Sequence, residues 1–362
     1  MTAVPRAETV GSLLRPPRLL AARAGAASPE ELRALEDAAV LDAIRLQESA
    51  GLDVITDGEM RRGGWSATTE VLDGFEPRVG GPGLTWRGEG PEIRQGAGYP
   101  TVVRRISPRR SLSDEYAFLA AHTAARAKHC MPAPSYHRRF WYAEHSAGAY
   151  PTCEEFLLAV RDHLRAEVRR VVELGCDYVQ LDAPNYGSLC DANHRGLLEE
   201  RGHDLDAELA FDAALDSSVF EGVTGITRAL HVCRGNAAGR WHSTGGYGVI
   251  AERLFPNLAV DALLLEYDSD RAGDFGPLAC VPDGVIAVLG LVTTKTGQVE
   301  DEGTIEARIA EAAAVKALAE LALSPQCGFA SVAVGNPVTP DQQRAKLELV
   351  GRVARRVWAP KP

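Results

Sequence analysis

Four side chains scattered along the sequence have the chemistry to share one metal ion: His231, Cys233, Glu266 and Cys327. His231 and Cys233 lie two residues apart at the end of an apolar run, and side chains at i and i+2 of a strand point the same way. Glu266 closes the next apolar run and Cys327 the last. Two thiolates, one imidazole and one carboxylate would fill a tetrahedral zinc site, and soft thiolates favour zinc over magnesium or manganese. The spacing alone leaves a plainer reading open, because a buried cysteine is usually just a small apolar side chain. Other reactive groups repeat the placement. Gly11-Ser12, Asp57-Gly-Glu59, Pro132-Ala-Pro-Ser135, Asp182 and Lys295 each follow a short apolar run.

Those runs alternate with amphipathic helices. Ser28-Pro-Glu-Glu opens one helix: Ser28 suits the N-cap, Pro29 the first turn, and Glu31 completes a capping box. Leu32, Leu35, Ala39, Ala43 and Leu46 recur at helical spacing before Gly51 stops it. Thr152 and Glu155 open a second such unit, which runs on to Gly175 and then to the apolar stretch at 178–181. Eight strands are predicted, at about Ala7–Gly11, Asp53–Thr56, Lys128–Pro132, Tyr178–Leu181, Ala229–Val232, Ala262–Leu265, Val285–Leu291 and Ser324–Cys327. Helix and strand alternating with short connections imply a parallel sheet, and eight such strands imply an α/β fold of the (β/α)₈ TIM-barrel type. An open doubly wound sheet is the alternative. On a barrel the reactive groups above all face the mouth at the strands' C-terminal ends. Residues 1–362 read as one barrel domain, with a loop excursion at about 70–112 that is rich in Gly, Pro and Arg.

Composition narrows the partners. With 39 Lys and Arg against 49 Asp and Glu the formal charge is −10, and there is no long basic run. Neither nucleic acid nor an anionic membrane is expected as a partner. No stretch has the 18 or so apolar residues of a transmembrane span, and the N-terminus lacks a signal-like apolar core, so a cytoplasmic protein is expected. Seven scattered cysteines then read as thiols or metal ligands rather than a disulfide framework.

Several segments resemble the catalytic domain of cobalamin-independent methionine synthases, above all their short, single-barrel relatives. They are Thr9-Val-Gly-Ser-Leu-Leu-Arg-Pro, Gly51-Leu-Asp-Val-Ile-Thr-Asp-Gly-Glu59, His231-Val-Cys-Arg-Gly-Asn236, Gly245-Gly-Tyr247, Leu265-Glu-Tyr-Asp268, Arg271-Ala-Gly-Asp-Phe275, Leu289-Gly-Leu-Val-Thr-Thr-Lys295 and Ser324-Pro-Gln-Cys-Gly-Phe-Ala-Ser331. The resemblance implies a barrel of the uroporphyrinogen decarboxylase/methionine synthase type. It implies one zinc ion per chain on His231, Cys233, Glu266 and Cys327, and it places Gly11, Ser12, Glu59 and Asp182 around the amino acid end of homocysteine. Arg234 joins them as a candidate substrate-binding residue, and Lys295 and Asp182 are the candidate catalytic residues. Each has a second reading: Glu59 as a loop cap, Asp182 as a turn residue before Ala183-Pro184, Arg234 as the partner of a nearby acid.

The implied activity is zinc-dependent transfer of a methyl group to a thiol, homocysteine becoming methionine, with a methyl-folate or a methyl-corrinoid protein as donor. Two departures bear on the donor. Lys295 stands where the resemblance leads one to expect a catalytic histidine, and Ala183 where it leads one to expect a second acid. The alternative keeps the zinc and joins another thiol to an epoxide or a specialised metabolite, as in epoxyalkane:coenzyme M transferases. A sulfonated thiol would call for cations, and Arg61, Arg62, Arg138 and Arg139 are available.

Overall fold

The helix signals act as expected. The Ser28 side chain accepts from the Glu31 amide while Glu31 reaches back to the Ser28 amide, and Pro29–Ala50 ends at Gly51 in the left-handed conformation. At Cys153–Glu173 Thr152 accepts from the Glu155 amide, so half of the second capping box forms. The computed structural model describes residues 4–25, 27–77, 84–95 and 99–359. Among them, no helix is long and apolar enough to cross a membrane.

Six parallel strands pair in chain order: His129–Pro132, Tyr178–Asp182, Thr227–Val232, Ala262–Glu266, Ile286–Val292 and Leu321–Pro325. The remaining wall closes through short contacts. Ala7 bridges to Leu323, Glu8 to Val54, and Val54–Ile55 pairs in parallel with Arg126–Ala127 just before His129. The result is a closed (β/α)₈ barrel. Its first strand is only a pair of bridges at Ala7 and Glu8 rather than the expected 7–11. The last starts three residues before the expected 324–327 and ends two before it, because Leu321-Ala-Leu is its apolar body and Pro325 ends the ladder. Cys327 therefore sits in the loop beyond.

Alternation sorts the side chains. Val10, Val54, Tyr178, Ala229, Ala262, Leu264, Val288 and Ala322 pack together in a small cluster inside the barrel, while Leu263, Leu265, Val179 and Leu230 join the larger core under the helices. Taking every second residue along a strand gives Tyr178-Gln180-Asp182, Ala229-His231-Cys233 and Ala262-Leu264-Glu266. Each inward row becomes more reactive toward the C-terminal mouth. Near the base the buried Lys128 ammonium donates to Glu8 at 2.5 Å and to Gln180 at 2.7 Å, so these charges are paired. The 70–112 excursion carries two antiparallel pairs, Leu72–Glu76 with Thr101–Pro108 and Leu84–Trp86 with Ile93–Gln95. Trp86 lies over the mouth, its ring 5.4 Å from that of His242.

Candidate metal centre and thiol pocket

His231 and Cys233 reach the mouth from one strand and Cys327 from the loop after the last strand. Their ligand atoms all lie within 4.8 Å of one another, and all three residues are buried. The sulfurs of Cys233 and Cys327 are 3.6 Å apart. His231 Nδ1 lies 3.2 Å from the Leu264 carbonyl, which fixes the tautomer, while the buried Nε2 has no nitrogen or oxygen partner among the described residues and the ring neighbours the Cys327 sulfur. A ring with one nitrogen tied to a carbonyl and the other free of oxygen and nitrogen partners is the usual state of a metal-binding histidine. The Cys327 sulfur is held well below the ordinary thiol range by its hydrogen bond with Cys233, with His231 and Lys295 helping against burial. One imidazole and two sulfurs, one already thiolate-like, suit zinc.

Glu266 does not join this group. Its Oε1 pairs with Arg271 and lies 3.6 Å from Lys295 Nζ, while Oε2 accepts from the Arg234 amide at 2.9 Å. Burial pushes the carboxyl up, but Lys295, Arg271 and Arg234 outweigh it and keep it ionised. The expected four-ligand set is thus three converging ligands, with the carboxylate drawn aside by nearby cations. Arg234 also departs from expectation. Its guanidinium donates to the carbonyls of Gly245, Glu266 and Ala272 and stacks 3.9 Å from the Tyr247 ring centroid, so it is spent on fixing the loop rather than facing the cavity. Lys295 is likewise turned to Glu266 and does not line the cavity.

The three ligands open onto a cavity of about 220 Å³ that is also lined by Gly11, Ser12, Glu59 and Asp182. Gly11 leaves room for the Glu59 carboxyl where it stands: a β-carbon there would meet Glu59 Oε1 at 2.5 Å and make that side chain shift. Gly328, next to Cys327, allows the loop to pass Ser12, since its β-carbon would fall 2.0 Å from Ser12 Oγ. Glu59 has a left-handed backbone, φ 56°, a strained state for a non-glycine residue and one that recurs at working sites. Burial pushes its carboxyl up to about 8; Arg62 opposes this, and Asp182 and Asp57 add to it. Its Oε2 has no partner among the described residues. Asp182 accepts from Gln180 at 2.7 Å, and burial raises it to about 6. Two carboxyls facing one small cavity, one with an oxygen left unpaired among the described residues, suit an ammonium group.

Part of the lining carries no signal in the strand-end pattern of the sequence. Trp65, Tyr99, Tyr136, Asn236, His242 and Ser331 also face the cavity. Asn236 donates to the Gly328 carbonyl at 2.6 Å and to Ser331 at 3.1 Å, tying the Cys233 and Cys327 loops together. Its place in the His-Val-Cys-Arg-Gly-Asn segment was the available signal. Of the four arginines weighed for a sulfonate, three are taken. Arg61 pairs with Asp37, Arg62 with Glu115 at 2.8 Å, and Arg138 with Asp212 at 2.5 Å. Arg139 alone of the four lines the cavity.

No protein-family model matches the chain. The uncharacterized protein YxjH of Bacillus subtilis is 35% identical over 98% of the chain and 94% of its own length. A solved Listeria monocytogenes protein assigned as a vitamin-B12-independent methionine synthase superposes with a TM-score of 0.75 at 28% identity, covering 99% of this chain and 100% of its own. This chain belongs to the cobalamin-independent methionine synthase family. Another B12-independent methionine synthase, from Shewanella and solved with selenomethionine, shares the family's fold at a TM-score of 0.73 and 20% identity, covering 98% of each chain.

Proposed function

We propose that this chain binds one zinc ion through His231, Cys233 and Cys327 and transfers a methyl group to the sulfur of homocysteine, giving methionine. The observation that carries the reading is the convergence of those three ligands on the cavity that Gly11, Ser12, Glu59 and Asp182 also line. A metal shared by three protein ligands keeps a position for substrate, whereas structural zinc sites are closed by four. Zinc, when bound, supplies a substrate thiol held as thiolate at neutral pH, where a free thiol is mostly protonated.

The chain's own groups do the rest. Glu59 and Asp182 hold the substrate ammonium. The turn at Gly11-Ser12, packed against Gly328, leaves the cavity floor close enough for the backbone to meet the amino acid. Arg271 and Lys295 draw the Glu266 carboxylate toward themselves, so that Glu266 balances charge beside the sulfurs without crowding them. Lys295 is then a positioning group for Glu266 rather than the acid that would protonate a donor. Trp65, Trp86 and Tyr136 cover the mouth and limit water at the sulfur. The coenzyme M-type alternative is weakened because three of its four candidate cations are engaged in ion pairs.

The experiment is thiol binding to the zinc-loaded protein with proton release followed directly. Homocysteine should bind and release close to one proton more than methionine does in the same buffer, because only a thiol that becomes a ligand gives up its sulfhydryl proton. Coenzyme M and cysteine should bind more weakly. Equal binding of all three thiols, or no release with homocysteine beyond that of methionine, refutes the reading.

A further inference from the structure

The thiol pocket adjoins a larger chamber of about 760 Å³, walled by the segment Pro134–Phe140 and by Trp141, Leu189, Leu197 and Leu209. Leu84, Tyr99, Tyr136 and Arg139 line both spaces. The ligand triad, Ser12, Glu59 and Asp182 line only the smaller one. A second reactant approaching the sulfur from the chamber therefore passes Arg139.

We propose that Arg139 is the specificity-determining residue on the donor side: it binds an anionic group of a small-molecule methyl donor that occupies this chamber. The inference rests on the methyl-transfer reading above. Arg138, its neighbour in sequence, is surrounded by Asp212 at 2.5 Å, Glu154 at 3.6 Å and Glu208 at 3.9 Å. Arg139 has no carboxylate partner among the described residues; its guanidinium donates to the Tyr99 hydroxyl at 3.1 Å. It is held over two rings, 4.5 Å from the Tyr136 centroid and 5.1 Å from that of Tyr99. The two rings orient the planar fork before any ligand arrives. A half-buried cation without a counter-ion, facing a largely apolar chamber, is costly unless a ligand supplies the charge. Arg201, exposed and also without an acid partner among the described residues, lines the same chamber. The chamber's size falls in the range that encloses a small molecule, whereas a protein-borne donor would need an open face.

The test uses two probes with the same ring: 5-methyltetrahydrofolate, which carries carboxylates, and 5-methyltetrahydropterin, which carries none. Binding to the zinc-loaded protein is read from quenching of tryptophan fluorescence, since Trp141 lines the chamber. Wild type should prefer the anionic probe. Arg139→Met should weaken that probe by about ten- to a hundredfold, the range for a lost hydrogen bond to a charged group, and leave the neutral probe within about twofold. Arg139→Lys should recover part of the loss. Proton release on homocysteine binding should stay unchanged in both variants, which also shows that they fold. Equal effects on the two probes, no effect on either, or failure of wild type to bind the anionic probe overturns the proposal. So does a loss confined to homocysteine or coenzyme M, which would put Arg139 on the acceptor side. Absence in wild type of any homocysteine proton release beyond that of methionine, with the probe contrast intact, would instead refute the zinc–thiol reading and leave Arg139 an anion site.

Discussion

The sharpest quantitative consequence concerns Glu59. Its carboxyl, raised by burial to about 8, is mostly protonated at neutral pH in the metal-free protein. At pH 6 only about 1% would be ionised, and at pH 8 about half. If the substrate ammonium needs the ionised form, binding of an amino acid must release a proton across that window. The affinity for methionine, a ligand with no thiol to titrate, should then rise about fiftyfold from pH 6 to pH 8. Glu59→Gln should bind methionine weakly and with little dependence on pH above about 7. Calorimetry in buffers of different ionisation enthalpy reads the released proton directly: close to one per methionine for wild type near pH 7 and close to none for Glu59→Gln. Stability carries the opposite sign. Because the folded carboxyl keeps its proton above the ordinary 4.5, the folded chain holds more protons than the unfolded chain between about 4.5 and 8. Stability is therefore lost as pH rises through that window, and Glu59→Gln should reduce the loss. A methionine affinity in wild type that is flat from pH 6 to 8, or proton release that survives in Glu59→Gln, would refute this account.

Other consequences follow from the same geometry. Cys327→Ser should lower the zinc content of purified protein from about one per chain, whereas Lys295→Ala should leave it near one, measured by elemental analysis. Arg271→Met removes one of the cations around the buried Glu266 carboxylate, leaving Lys295 and the Arg234 amide, and should cost about 1–3 kcal/mol in denaturant unfolding. Gly328→Ala forces its new methyl group, 2.0 Å from Ser12 Oγ, to push the two loops apart. It should cost about 1–3 kcal/mol and weaken methionine binding at every pH.

Much of this was readable from the residues. The capping box at Ser28 and the helical spacing up to Gly51 needed only local physics, and alternation within strands correctly put His231 and Cys233 on one face. The barrel class was legible because eight apolar runs each end in polar loops. What was not legible depended on charges meeting across the fold. Nothing near Glu266 in sequence says that Lys295 lies beside it, or that Arg234 turns back onto three backbone carbonyls. Strand limits failed where tertiary closure replaces a ladder, as at Ala7 and Glu8. Arg139 could be named as an available cation, but its isolation from acids appears only once Arg138 is seen to take Asp212.

Sulfurs brought within 3.6 Å of each other to clasp a cation have a second fate in a protein stripped by a chelator. Each thiol can give up its hydrogen to dissolved oxygen, and the two then join covalently. Purification in air with chelator should therefore yield chains that have lost two titratable thiols and refuse zinc until a reductant is supplied. The bound ion would act as a guard over Cys233 and Cys327 as well as a tool, tying the working life of the centre to the redox state of its surroundings.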